Sequence, residues 1–304
     1  VDEDFAEQQI TDLVNTREIY LVPMLNVDGN RYDREVFCGE DAWNCDSAGW
    51  RKNLRDNGVE GLTPIPDTQE EVDPSCDGVD LNRNFQYEWG APLGATGPLF
   101  PGACYAGGPN NDVYNGPVDN NDNDGDCLGI PTPECVNEDH VDGNDDDGDG
   151  LTDEDWWGGN SEPETLFVQD LTEMNDDDNN GASDFKATLS WHSYSELVLY
   201  PWGHCTGCET PDHGALIYHG DKMAEMTQYA NIQSSDLYPT TGDYCDWQYG
   251  VHDSFCYTIE IGTAFHQHPD DVNHIAVRNV GIPFYMLEIS DNPREPVSYT
   301  HLRA

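Results

Sequence analysis

Apolar residues at Phe5, Ile10, Leu13 and Val14 recur at helical spacing and predict a short amphipathic helix between Asp4 and Asn15. Glu18 to Asn26 is a continuous apolar run of strand length. With both faces apolar it predicts a central strand of an α/β sheet, turned off by Asn26-Val27-Asp28-Gly29. Further on, Ser161 as cap, Pro163 in the first turn and Glu164 closing a capping box predict a helix start, with Thr165 to Met174 as the helix. Phe185 to Trp191 predicts a strand ending at His192, and Leu197 to Tyr200 a second short apolar segment. His213 to Ala230 predicts a helix, Phe255 to Ile261 a strand, and Asp270 to Ile289 a helix interrupted near Gly281 and Pro283. Strands alternating with helices imply an α/β sheet covered by helices on both faces.

One stretch breaks this pattern. Residues 109–157 are rich in Asp, Asn and Gly, and no Lys or Arg occurs between Tyr105 and Asn160. Asp145, Asp147 and Asp149, then Gly150 and Asp153, have the alternating oxygen spacing that opens a calcium loop. Asn120, Asp122 and Asp124 form a weaker copy. Asp176, Asp178, Asn180 and Asp184 form a third, outside the insertion. A complete EF-hand is not present, because no bidentate Glu stands at position twelve. An acidic tract without fixed structure is the competing reading.

Composition narrows the partners. The chain of 304 residues carries 12 basic and 60 acidic residues, a net charge of -48, which argues against nucleic acid or an anionic membrane as partner. No run approaches the ~20 apolar residues of a membrane span. Ten cysteines in loop-like surroundings point to an oxidising, extracellular setting, and Cys205-Thr206-Gly207-Cys208 to a small structural disulfide. A secreted monomer is the expectation. Residues 297–304 read as a non-native tail.

The residues that carry chemistry lie apart in the chain. Asp80-Leu81-Asn82-Arg83-Asn84-Phe85 sets an amide beside a guanidinium, two groups that suit a carboxylate. Arg51 lies upstream in Trp50-Arg51-Lys52-Asn53. His192 sits in Ser190-Trp-His-Ser-Tyr-Ser195, Tyr238 stands nine residues before Trp247, and Glu260 lies within the apolar strand Thr258-Ile-Glu-Ile261. A carboxylate in an apolar strand has a reason other than packing.

Together these pieces resemble the zinc metallocarboxypeptidase family, which includes pancreatic carboxypeptidases A and B. The resemblance runs from about Arg17 to about Ile289. It implies a mixed central sheet flanked by helices, interrupted here by the acidic insertion, with a catalytic domain over residues 1–296. It also implies a Zn²⁺-dependent enzyme that removes C-terminal residues from peptides and proteins. Glu260 would be general base and acid, Arg51 the oxyanion cation, and Asn82 and Arg83 the clamp on the substrate's carboxylate. Tyr238 would be the mobile cover and His192 the third zinc ligand. Cys76 and Cys104 resemble the ends of the family's disulfide near the clamp. Cys245 falls where the specificity pocket carries a discriminating side chain, and a pairing with Cys256 leaves the preference open; Asp243 nearby hints at basic residues.

The departure is upstream. The family takes its first two zinc ligands from a His-x-x-Glu motif ahead of the Glu18–Asn26 run, and residues 1–17 contain none. Truncation before Val1 is the expected reason, and residues 1–304 alone are expected to be inactive. The alternative is a catalytically dead scaffold serving as a secreted calcium-binding or adhesive module.

Overall fold

The computed structural model describes residues 3–33, 50–55, 77–89, 159–177, 180, 182–265 and 267–295, with side chains from residue 8 onward. The insertion at 109–157, the tail at 297–304 and Cys38, Cys45, Cys76, Cys104, Cys127 and Cys135 lie outside them.

Four strands form one mixed sheet in the order β1-β4-β2-β3: β1 Ala187–His192, β2 Leu197–Tyr200, β3 Ala230–Gln233 and β4 Phe255–Glu260. β1 runs parallel to β4, β2 antiparallel to β4, and β3 parallel to β2. β4 is buried along its whole length, as a central strand requires. Successive strand residues point to opposite faces, and β4 shows what each face meets. Phe255, Tyr257 and Ile259 enter an apolar core with Leu216, Met223, Ile282, Tyr285 and Ile289. Those partners come from α4 His213–Thr227 and α8 Gly281–Ile289. The Tyr257 hydroxyl, which burial would otherwise orphan, donates to the Leu216 carbonyl at 2.9 Å. Cys256, Thr258 and Glu260 take the other face, beneath α6 Tyr244–His252, where Cys256 is bonded to Cys245. The sheet is thus covered by helices on both faces, in agreement with the expected class.

The helix α1 Glu3–Thr16 forms as the periodicity predicts. The C-terminal helical run divides into α7 Pro269–Asn279 and α8, with the break at Val280. Two expectations are corrected. Glu18–Asn26 is not a strand: it is irregular, and Leu21 is 83% exposed. Its Tyr20 ring lies 5.1 Å from Phe185, just ahead of β1, but no described strand pairs with it. An apolar run makes a strand only when a neighbouring edge supplies its hydrogen bonds. The helix α3 Pro163–Glu173 begins after Glu162, not Ser161, because Pro163 takes the first helical position. Ser161 is then one residue too early to cap, and its hydroxyl donates to Glu162 instead.

The short helix α2 Val27–Arg31, β3, the single turn α5 Ser234–Leu237 and α6 escaped sequence reading. Among the described residues no helix is long and apolar enough to cross a membrane.

Candidate active site

The parallel register of β1 and β4 sets His192 opposite Glu260, at the ends of both strands. Leu197, the first residue of β2, pairs with Glu260 from the other side. The described residues line a cleft that both His192 and Glu260 reach. Arg51, Asn82, Arg83, His192, Tyr238 and Glu260 all face this cleft. Six residues drawn from five distant stretches of the sequence therefore converge.

Each is held by a specific contact. Arg51 is placed from behind by Asn26, whose amide donates to the Arg51 and Lys52 carbonyls at 3.0 and 2.8 Å. Residues 53–55 then run beside 78–79: Asn53 N–H donates to the Val79 carbonyl at 2.9 Å, and the Asn53 side-chain oxygen accepts from Val79 N–H at 2.9 Å. This brings the Arg51 guanidinium to 3.0 Å from the buried Asp80 carboxylate. The other Asp80 oxygen caps the 3₁₀ turn Leu81–Arg83 by accepting from Asn82 N–H. One carboxylate thus ties the oxyanion candidate to the clamp.

The clamp turn is wedged against α6. Asn82 Oδ1 accepts the Tyr244 N–H at 3.0 Å, which leaves the amide NH₂ to donate to a ligand. Gly242 lies at φ +62°, and a Cβ there would stand 2.5 Å from the Arg83 carbonyl oxygen, so only glycine permits this approach. Arg83 is buried and its guanidinium lies 5.9 Å from the Tyr238 ring, which is itself 46% exposed. Trp247, nine residues on, stacks on Phe85 and is buried.

Electrostatics divide the cleft. Burial pushes the Glu260 carboxyl up to about 7 against the pull of Arg51 and Arg83. Its Oε2 is buried with no hydrogen-bond partner among the described residues. Burial, then the charge of Arg51, lowers His192 to about 4, so its imidazole is neutral. Ser190 Oγ sits 2.9 Å from His192 Nε2 and fixes the ring. The site therefore holds a carboxyl poised near neutrality, a neutral imidazole and two guanidiniums. That set can pass a proton, stabilise an oxyanion and grip a carboxylate.

A zinc ion does not fit what is described. Such a site takes about three protein ligands, and no group of three or more His, Cys, Asp or Glu among the described residues could hold a metal. Of the calcium candidates, Asp145, Asp147, Asp149, Asp153 and Asp178 lie outside the described residues. Asp176, Asn180 and Asp184 accept amide hydrogens from Asn180, Ala182 and Asp177, closing their own turn.

Sequence reading missed Asp80, Leu199, Ser234, Leu237, Thr240 and Thr258 as members of the site. Only Asp80 left a signal, as an acid two residues before Asn82. Cys245 does not line the cleft: it is buried in the disulfide with Cys256. Asp243 lines it instead. Cys205 and Cys208 are bonded to each other as expected.

The family model described as zinc carboxypeptidase matches residues 4–279. A protein named zinc carboxypeptidase from Saccharothrix mutabilis subsp. capreolus is 28% identical over 257 residues, covering 83% of this chain and 42% of that protein. Carboxypeptidase O of Homo sapiens is 26% identical over 264 residues, covering 83% of this chain and 47% of that one. The chain thus spans about half the length of these relatives. A crystal structure of thrombin activatable fibrinolysis inhibitor shares the fold, with TM-score 0.58 at 19% identity, over 93% of this chain and 54% of that one. Convergence of the six residues on one cleft and the match along most of the sequence lead to the same conclusion: the chain belongs to the zinc carboxypeptidase family.

Proposed function

We propose that this chain belongs to a metallocarboxypeptidase that hydrolyses the last residue of a peptide. The observation that carries this is the Glu260 carboxyl: its Oε2 is buried and unpartnered among the described residues, it sits in register with His192, and it shares a cleft with Arg51, Asn82 and Arg83. A buried polar atom with no partner is costly unless a ligand or reaction uses it. Arg83 and the Asn82 amide take the substrate's terminal carboxylate, which sets the register of cleavage. Tyr238 covers it. Glu260 takes a proton from the attacking water and returns it to the leaving amine, a role suited to a carboxyl near neutrality. Arg51, oriented by Asp80, faces the oxygen on which charge develops.

Zinc would be held by His192 together with ligands that are not among the described residues. No His-x-x-Glu motif occurs anywhere in residues 1–304, so on that reading this chain binds zinc weakly and turns over no peptide. Calcium at the acidic loops rests on their spacing, and secretion on the disulfides and the family. A dead scaffold has no chemical use for a costly buried carboxyl aligned with a clamp.

Binding of short peptides with a free or an amidated C-terminus tests the reading on this chain. Free acids should bind and amides should not, and Arg83→Ala should erase the difference. Calorimetric titration with zinc should show no tight stoichiometric site. Equal affinity for acid and amide would refute the clamp; tight zinc binding would refute the incomplete site.

A further inference from the structure

We propose that Glu162 is a positioning residue for the cleft: one buried carboxylate, outside the lining, fastens the segment that bears Arg51 and the turn that bears Arg83 to the start of α3. This rests on the carboxypeptidase reading and names a residue on which the grip of that site depends.

Glu162 stands at the N-cap position of α3, yet its side chain does not cap the helix. Its carboxylate turns to three other donors. Asn53 Nδ2 donates to Oε2 at 2.7 Å, Arg55 Nη1 to Oε1 at 2.7 Å, and Ser161 Oγ to Oε1 at 2.8 Å. Ser161 Oγ in turn accepts from Asn84 Nδ2 at 2.9 Å. Asn84 Oδ1 accepts the Glu162 N–H at 3.2 Å and the Thr165 hydroxyl at 2.6 Å. Asn53, Asn84 and Glu162 are 3, 0 and 2% exposed, so water does not compete for these bonds.

Both arms of the site end in this network. Asn53 lies two residues beyond Arg51, and Asn84 directly follows Arg83. The Asn53 side chain is fully committed. Its Oδ1 accepts the Val79 and Arg55 N–H groups at 2.9 and 3.2 Å, so its Nδ2 must face the acids, Glu162 at 2.7 Å and Glu164 at 3.3 Å. Asp80 and the Asn53–Val79 pair join the Arg51 segment to the clamp turn. Glu162 then fixes both segments to one helix, so that neither shifts against it. It is not among the residues that line the cleft, and it acts through the two guanidiniums that do.

A carboxylate suits this task. It accepts from several donors at once, and its bonds to an Arg and beside a helix N-terminus are charge-assisted. Its burial is costly unless those partners stay in place. Glu162→Gln keeps the shape but turns an NH₂ either to Asn53 Nδ2 or to Arg55 and Ser161, donor against donor. Adding Asn53→Asp supplies an acceptor for that NH₂ and returns the chain to its original charge.

The clamp reads a free carboxylate. The ratio of affinities for acetyl-Leu-Ala-Leu as free acid and as amide, titrated against the full chain, therefore measures its alignment. The unaltered chain should favour the acid. Glu162→Gln should lower that ratio about tenfold, because a small displacement of a positioned group weakens its action steeply. Adding Asn53→Asp should restore most of it. Asn279→Ala removes a buried amide of α7 that donates to the Tyr229 hydroxyl and the Ile275 carbonyl. Its urea midpoint should fall while its ratio stays, which separates alignment from stability. Ser161→Ala cuts the link to Asn84 and should lower the ratio in part. A ratio that survives in Glu162→Gln, or in Ser161→Ala should Glu162→Gln not fold, would overturn the inference. So would a loss that Asn53→Asp does not repair, or an equal loss in Asn279→Ala. No preference for the acid in the unaltered chain would overturn the clamp and this inference with it.

Discussion

Asp246 is the residue on which the cleft floor hangs. Its carboxylate accepts the Gly203 N–H at 2.8 and 2.9 Å, the His204 N–H at 2.9 Å and His204 Nδ1 at 2.7 Å, and it is 1% exposed. Asp246→Ala leaves two backbone donors and the His204 ring facing a void. Removing one partner of a buried, hydrogen-bonded pair costs about 3–5 kcal/mol. Asp246→Asn keeps an oxygen for the amides and loses the charge, so about 1–3 kcal/mol is expected. The gap depends on pH. Burial alone would lower His204, but the Asp246 hydrogen bond and charge outweigh it and raise the group above 6.5. A raised histidine contributes stability that is full below 6.5 and fades as pH climbs through its folded value. Loss of Asp246 also relieves its repulsion of Asp243 above about pH 6. Both effects narrow the difference between unaltered chain and Asp246→Ala as pH rises. Urea unfolding at pH 6 and pH 9 reads it as the change in midpoint at constant slope. A loss below about 1 kcal/mol at pH 6, or the same loss at both values, would refute this account of the network.

Glu260→Gln should stabilise the chain at pH 8 by about 3 kcal/mol and change little at pH 4. The carboxyl rises on folding from 4.5 to about 7, so the folded state keeps a proton that the unfolded state releases, and stability falls as pH climbs through that window. Thermal melts across pH 4 to 8 check this; a variant with the same slope as the unaltered chain would count against it. Gly203→Ala should cost about 1–3 kcal/mol, because its Cβ would strike Asp243 and Thr240 within 2.4 Å. An unchanged urea midpoint would show that Asp243 and Thr240 do not close over Gly203.

Much of the fold was legible because it rests on local periodicity. The α1, β1, β2 and β4 segments each carry a run or stripe that their own residues define, and Gly281 with Pro283 marks the break between α7 and α8. β3 was not legible. Ala-Asn-Ile-Gln has no strand pattern of its own and exists because it pairs residue for residue with β2. α6 hid behind mixed polarity, and its one signal was Asp243 as a cap three residues before Asp246. The Glu18–Asn26 run erred in the opposite sense, having the composition of a strand and no described strand beside it.

By itself the sequence determined which groups are present: a guanidinium next to an amide at 82 and 83, a cation at 51, an imidazole at 192, a phenol at 238 and a carboxyl in an apolar strand at 260. Side-chain chemistry belongs to the residue and needs no neighbour to be recognised. Tertiary structure decided what those groups face. The register that sets His192 against Glu260, the ion pair of Arg51 with Asp80, and the burial of Cys245 while Asp243 lines the cleft arise between segments as much as 68 residues apart, from 192 to 260. Such contacts depend on packing and pairing across the sheet, which no local pattern records.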